Sequence, residues 1–219
     1  VVTEAIWTKV QGRLPPLTQV IALGTHRLRG MEQSQVLMEL APSCLSDREF
    51  PAVPSAACLV PGYRQAPSVE EPLTIMFAKV PGCPPAPEGV DQEELEAAYD
   101  AAVADWCDLV RRLLDRFRGY ECKEPERGKF TLAFADFRAA VAFAVTAQAE
   151  LLKLDYPPLV LATKECAEEE VDGARLFRGL RASIGLAHGW ASFQKPLSST
   201  GRADYFGNLP NKAARLMSV

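Results

Sequence analysis

The residues best placed to do chemistry lie near the end of the chain, in the segment GRADYFGNLPNKAARLM. Asn211 and Arg215 are four positions apart, so a helix beginning near Asn208 would carry both on one face. We expect Asn208 to cap this helix and Pro210 to lie in its first turn. A helix N-terminus attracts anions, so an Asn and an Arg beside it could hold a phosphate or a ribose. The same pattern also fits a capped surface helix with solvated polar residues.

The cysteines do not have the spacing of a metal site. No two form a Cys-x-x-Cys pair, and neither His26 nor His188 stands at ligand spacing from one, whereas zinc ligands come in close pairs. Several lie in apolar stretches, where reduced thiols are common, so we expect no zinc and a reducing, cytoplasmic compartment. The six are Cys44, Cys58, Cys83, Cys107, Cys122 and Cys166.

Composition indicates an ordinary folded chain. The 219 residues include 24 Lys and Arg against 28 Asp and Glu, a net charge of −4, and 48% are hydrophobic. These values argue against disorder, and the mild acidity argues against nucleic acid as a partner. No apolar run is long enough to span a membrane, so we expect no membrane contact from this segment. Because the chain starts at Val1 and stops in a predicted helix, we expect a longer parent protein, which could be membrane-anchored or part of a larger assembly.

The elements that position these residues alternate between strands and helices. Asp91 and Asp136 are predicted to cap two helices, and Gly119 to end the first. The sequence LVLAT predicts a short strand or part of an insertion, and KECAEEEVDGARL predicts a solvated, partly helical excursion. The order β-α-β-β-α-β-α predicts an α/β (α+β) sandwich of the ferredoxin-like kind. The predicted elements are Leu73–Val80, Gln92–Phe117, Tyr120–Lys123, Phe130–Phe134, Phe137–Leu154, Arg181–His188 and the final helix.

The final segment also resembles the signature of class III nucleotidyl cyclases, the adenylyl and guanylyl cyclase catalytic domains. Their motif reads roughly Asp-x-x-Gly-x-x-x-Asn-x-Ala-x-Arg, and it is met here at Asp204, Gly207, Asn211, Ala213 and Arg215. The pieces LTIMFAKVPG, GYECKEPERGKFTLAF and RASIGLAHG resemble further cyclase segments in the family's order. The insertion after the second helix looks most like those of algal and protist members.

The resemblance also implies a domain organisation. Residues 1–50 resemble the C-terminal tail of a cyclase domain, residues 51–71 form a Pro-rich linker, and residues 72–219 form a cyclase-like domain that lacks its C-terminal end. A tandem protein explains this order, but the tail could instead complete the second domain in a permuted way. Arg27 and Arg29 could belong to a basic turn that binds triphosphate, or could be solvated turn charges.

The resemblance implies that two metal ions, held by two aspartates, activate the ribose 3′-hydroxyl at a site between two cyclase domains. In this sequence Lys79 and Lys129 stand where those aspartates belong. A lysine ammonium repels Mg²⁺, so we expect Mg²⁺ or Mn²⁺ only through a partner domain, in the same polypeptide or another chain.

The other site residues that the resemblance implies are retained in this sequence. Asn211 matches the residue that orients the ribose, and Arg215 the residue that stabilises charge in the transition state. Lys123 and Asp204 match the pair that reads the base. Because Asp204 can accept from the adenine amino group and Lys123 can donate to a ring nitrogen, the pair favours ATP. The hairpin carries an extra residue, which affects the placement of Lys123 and Lys129.

Three functions are compatible with this pattern. The first is the metal-free half of an adenylyl cyclase, inactive alone and active with a metal-bearing partner. The second is an inactive pseudocyclase that serves dimerisation, regulation or scaffolding. The third is an unrelated ferredoxin-like binding module.

Overall fold

The structure, a computed structural model, describes residues 1–28, 31, 33–45, 53, 57–59 and 61–218. The chain divides into two units, each with its own internal packing. The first unit comprises Val1–Ala66 and Lys195–Asp204, and the second comprises Pro67–Gln194 and Tyr205–Val219. None of the helices in the described ranges is both long and apolar enough to cross a bilayer.

The first unit contains a four-stranded antiparallel sheet in the order β1-β3-β2-β4. Its strand β4 lies in the segment predicted as a linker. Arg27 ends β2, whereas Arg29 and Gly30 of the predicted basic turn lie outside the described residues. The elements are β1 (Val2–Thr3), α1 (Glu4–Val10), β2 (Thr18–Arg27), β3 (Gln35–Pro42) and β4 (Ala57–Leu59).

A second four-stranded antiparallel sheet follows, in the order β10-β5-β7-β6. With helices α2 and α3 between its strands it forms the β-α-β-β-α-β sandwich, which confirms the predicted fold class. The elements are β5 (Leu73–Lys79), α2 (Gln92–Phe117), β6 (Tyr120–Glu126), β7 (Lys129–Phe134), α3 (Phe137–Leu151), α4 (Pro158–Leu161), β8 (Glu169–Val171), β9 (Ala174–Phe177), β10 (Ser183–Gly189), β11 (Phe193–Pro196), β12 (Ala203–Phe206) and α5 (Asn208–Met217).

The core lies between one face of this sheet and the helices α2 and α3. Apolar residues of α2 recur at helical spacing, so one stripe of the helix is buried. Trp106 is fully buried there, and its indole Nε1 donates to the carbonyl oxygen of Gly128 at 3.1 Å. Alternate residues of the central strands, such as Met76 in β5 and Leu132 in β7, point into this core. The intervening residues of each strand therefore face the opposite side of the sheet.

The helix α2 has the predicted bounds because its N-terminus is capped as expected. The Asp91 carboxylate accepts from the backbone N–H groups of Glu93 at 2.7 Å and Glu94 at 3.4 Å. We expect Asp91→Ala to lower the free energy of unfolding by about 1 kcal/mol, because two N–H groups lose their acceptor. Asp91→Asn, which keeps an acceptor oxygen, is the matched control. Urea denaturation measures both, and equal stabilities of the alanine variant and the wild type would contradict the assigned cap.

Three local predictions were wrong. The left-handed residue that ends α2 is Arg118 (φ 53°), not Gly119. Gly119 is needed because a Cβ there would lie 2.4 Å from Leu114 Cδ2. The first three residues of LVLAT lie in the one-turn helix α4, so the alternative of a strand is wrong. The excursion that follows is mostly exposed, as predicted, but it contains the hairpin β8–β9 in place of helical turns. Asp172 and Gly173, both with positive φ, form its turn, which is the conformation that an Asp-Gly pair favours.

Candidate functional site

The helix α5 begins one residue later than a cap at Asn208 would require. Its N-cap is Gly207, and Asn208 is the first helical residue, which corrects the prediction. Gly207 has a φ of 117°, a conformation that residues with a Cβ rarely adopt, and a Cβ there would lie 2.3 Å from Ser192 Oγ. The glycine of the signature is therefore required by the backbone at the start of the helix. Pro210 lies in the first turn, as expected.

The helix α5 packs against β5 and β10 on the sheet face opposite α2 and α3. Ala213 is fully buried, and Gly185 of β10 allows a close approach of the helix. A Cβ at Gly185 would lie 2.1 Å from the backbone nitrogen of Met217 and 2.5 Å from the carbonyl oxygen of Ala213. Asn211 and Arg215 are both exposed, four positions apart on the outward side of this anchored helix.

The two lysines at the expected metal positions lie directly opposite each other. Lys79 ends β5, Lys129 begins β7, and the two are cross-strand partners in the register. Ser183 pairs with Lys79 from the other side. Cross-strand partners share a face, and these residues alternate with the core residues, so their side chains lie on the α5 side of the sheet.

Lys123 lies on the same side of the sheet, one row further along. Its cross-strand partner is Thr131 of β7. The same row of the sheet continues with Phe77 of β5 and Gly185 of β10. The register of β6 against β7 shifts twice, between Glu121 and Lys123 and between Lys123 and Glu126. The sequence had indicated one extra residue in this hairpin, and the structure has two irregularities that flank Lys123.

This chain does not provide a fitting set of ligands for a divalent cation at these positions. Two ammonium groups occupy them, and the Lys129 ammonium forms an ion pair with Glu126. Within the described ranges, no group of three or more His, Cys, Asp or Glu side chains is arranged to hold a metal ion. Carboxylate, imidazole or thiolate donors are what a divalent metal requires.

Asp204, the predicted base-reading carboxylate, is buried in β12, with 7% of its surface exposed. It belongs to the first unit, whereas Lys123, Asn211 and Arg215 belong to the second. The structure thus places Lys79, Lys123 and Lys129 on the same face of one sheet as α5, the helix that bears Asn211 and Arg215. The pairing of Asp204 with Lys123 stays a prediction.

Sequence reasoning missed a pocket of about 450 Å³ between α2 and β6, which none of the predicted site residues lines. Arg111 forms ion pairs there with Glu121 at 3.1 Å and with Glu124 at 2.5 Å. The Cys107 thiol donates to Glu124, and burial together with this carboxylate raises the pKa of Cys107 to about 11. Arg111 and Glu124 are therefore already paired within this pocket, and the Cys107 thiol is not an activated nucleophile.

Comparison with known proteins finds adenylate cyclases both among sequence relatives and among solved structures. The chain is 31% identical over 123 residues to an adenylate cyclase from Lachancea kluyveri, covering 56% of this chain and 7% of that protein. It is 34% identical over 113 residues to an adenylate cyclase from Mycosarcoma maydis, covering 49% and 4%. Among solved structures, a Trypanosoma brucei adenylate cyclase in its monomeric state matches with a TM-score of 0.53 and 27% identity, covering 69% of this chain and 71% of that one.

The chain therefore spans less than a tenth of the length of these curated relatives. No protein-family model matches it.

Proposed function

We propose, from the premise that this chain resembles the class III adenylyl and guanylyl cyclase catalytic domains in sequence and in fold, that it supplies one half of an ATP-cyclising site. In this proposal a partner cyclase-like domain provides the two metal aspartates, and with them Mg²⁺ or Mn²⁺. This chain provides the residues that hold and stabilise the substrate. The products are 3′,5′-cyclic AMP and pyrophosphate.

The observation that carries the proposal is the presentation of Asn211 and Arg215 by α5. The helix is fixed to the sheet through Ala213 and Gly185, so the two polar side chains are held on a rigid element that faces outward. A site that is built on a packed helix keeps its geometry better than one on a loop. Outward presentation suits residues that act on a substrate bound against another domain.

Each residue of the pair has a distinct role. The Asn211 amide offers both a donor and an acceptor to the ribose. The Arg215 guanidinium is a positively charged donor and can stabilise the negative charge that develops on the phosphate oxygens in the transition state. Neither role requires a metal ion on this chain.

Lys123 and Asp204 are proposed to select the base. Their donor and acceptor match the ring nitrogen and the amino group of adenine, and guanine presents the reverse pattern. ATP is therefore the proposed substrate, and GTP the disfavoured one.

Exposed apolar side chains support the presence of a partner domain. On α3, Phe137, Val141 and Val145 are exposed at 47%, 44% and 66%, and they recur every four residues. On α5, Leu216 beside Arg215 is 55% exposed. Apolar side chains that recur on one helix face and are left uncovered mark a surface that another protein covers.

The test measures cyclic AMP from ATP and cyclic GMP from GTP, for the 219-residue chain alone and for the polypeptide in which it is joined to a metal-bearing cyclase domain. We expect cyclic AMP from the joined domains with Mg²⁺ or Mn²⁺, and no product from the chain alone. Metal-dependent turnover by the chain alone would overturn the assignment of Lys79 and Lys129. No product from the joined domains would overturn the half-site.

An inactive pseudocyclase is the second candidate, and two features of the chain favour it. The register shifts on both sides of Lys123 displace it from a regular hairpin position, and Pro210 stands in the first turn of α5. A pseudocyclase would keep the exposed α3 face for dimerisation or scaffolding. The activity of the joined domains distinguishes the two candidates.

A further inference from the structure

Two ammonium groups meet at one end of the sheet face that α5 covers in part. Lys79 and Lys129 are direct cross-strand partners, and Lys123 lies one row away on the same face. Like charges placed directly opposite each other destabilise a sheet. Such a pair becomes favourable when an anion lies between the charges.

The neighbouring carboxylates neutralise only part of this charge. Glu126 pairs with Lys129, so one negative charge faces two positive ones. The other β6 carboxylates, Glu121 and Glu124, pair with Arg111 of α2. Within the part of the chain that the structure describes, Lys79 forms no ion pair.

A buried hydroxyl on the same face also has no partner. Thr131 follows Lys129 by two positions in β7, so the two side chains lie on the same side of the strand. Thr131 is 3% exposed, and its Oγ1 makes no hydrogen bond to any described residue. A buried hydroxyl without a partner is unfavourable, and a phosphate oxygen is an acceptor that would satisfy it.

We propose that Lys79, Lys129 and Thr131 form a phosphate-binding site that takes a nucleoside triphosphate without a divalent cation. The lysine ammonium groups supply positive charge at the positions where the related domains are expected to hold metals. Lysine binds phosphate as a point charge, so no chelating geometry is needed. This inference rests on the proposed function for the identity of the nucleotide.

The experiment measures binding of ATP to the 219-residue chain by calorimetry in EDTA, at low and at moderate ionic strength. We expect binding in EDTA that weakens as salt is added, because the contact is between charges. Lys79→Gln and Lys129→Gln are each expected to weaken it at least tenfold, the loss of one hydrogen bond between charged groups. Thr131→Val, which removes only the hydroxyl, is expected to weaken it by a smaller factor.

Glu126→Gln gives a prediction of opposite sign. It removes the carboxylate that competes with phosphate for Lys129, so ATP binding in EDTA is expected to tighten a few-fold. Lys153→Gln is the matched control, since this exposed lysine pairs with Glu150 near the end of α3, and it is expected to change nothing. Inorganic triphosphate is expected to compete with ATP, and adenosine is not. Thermal unfolding of each variant verifies that it is folded.

Two results would overturn the inference: no binding of ATP in EDTA at millimolar concentration, or binding that folded Lys79→Gln and Lys129→Gln leave unchanged. Its failure differs from a failure of the half-site proposal. If the joined domains produce cyclic AMP but ATP does not bind in EDTA, the lysine site is refuted and the half-site proposal stands. If ATP binds in EDTA but the joined domains produce no cyclic AMP, the half-site proposal is refuted and the lysine site stands.

Discussion

Arg215→Ala is expected to lower cyclic AMP production by the joined domains roughly 100- to 1000-fold, the usual loss when one transition-state donor is removed. The side chain is exposed on α5, and its removal leaves the buried contacts of Ala213 and Leu209 intact. We therefore expect the free energy of unfolding to change by less than about 0.5 kcal/mol. The loss should appear in kcat, because the charge that Arg215 stabilises develops only in the transition state.

Two controls make the Arg215 result interpretable. Arg215→Lys keeps the charge but not the planar donor geometry, and should retain part of the activity. Lys153→Ala removes an exposed lysine near the end of α3, and this variant should retain the full activity of the wild type. Activity of Arg215→Ala within threefold of the wild type would show that this arginine has no catalytic role.

Gly185→Val is expected to remove activity by a different route, through the position of α5. A Cβ at Gly185 would lie 2.1 Å from the backbone nitrogen of Met217, so the helix has to move away from β10. Overpacking of this kind costs roughly 1–3 kcal/mol. We expect the free energy of unfolding to fall by about that amount, and cyclic AMP production to fall with it because Asn211 and Arg215 move together.

Gly82→Ala is the matched control for Gly185→Val, because no atom lies within 4 Å of a Cβ at Gly82. Urea denaturation and the cyclic AMP assay are run on both variants. A Gly185→Val variant with the stability and activity of the wild type would contradict the assigned packing of α5. A variant that keeps its stability but loses activity would show that the helix moved without unfolding the sheet.

Much of the fold could be predicted from the sequence because its signals are local. The stripe of apolar residues and the Asp91 cap define α2 to the residue. The hairpin β8–β9 was missed because its Glu-rich composition suggested a solvated helix, although the Asp172-Gly173 pair is a strong turn signal. The cap of α5 was misplaced because Gly207 is required by its close approach to Ser192. The two residues are distant in sequence and become neighbours only in the folded chain.

The candidate site depended more on tertiary structure. The signature indicated Asn211 and Arg215, and their spacing was enough to place them on one helix face. The direct pairing of Lys79 with Lys129 could not be derived from sequence, because it depends on the register between β5 and β7. The two register shifts beside Lys123 depend likewise on how β6 accommodates its extra residues. Thr131 carried no sequence signal at all, since only burial makes its hydroxyl notable.

Complementation of a disabled partner tests the half-site most directly. The partner is a class III cyclase domain that keeps its two metal aspartates but carries alanine for its own signature Asn and Arg, so pairs of it are inactive. Adding this chain with ATP and Mn²⁺ is predicted to restore cyclic AMP production, and adding the Asn211→Ala, Arg215→Ala chain is predicted not to. No cyclic AMP above the partner's own background, although the two domains associate, would contradict the account.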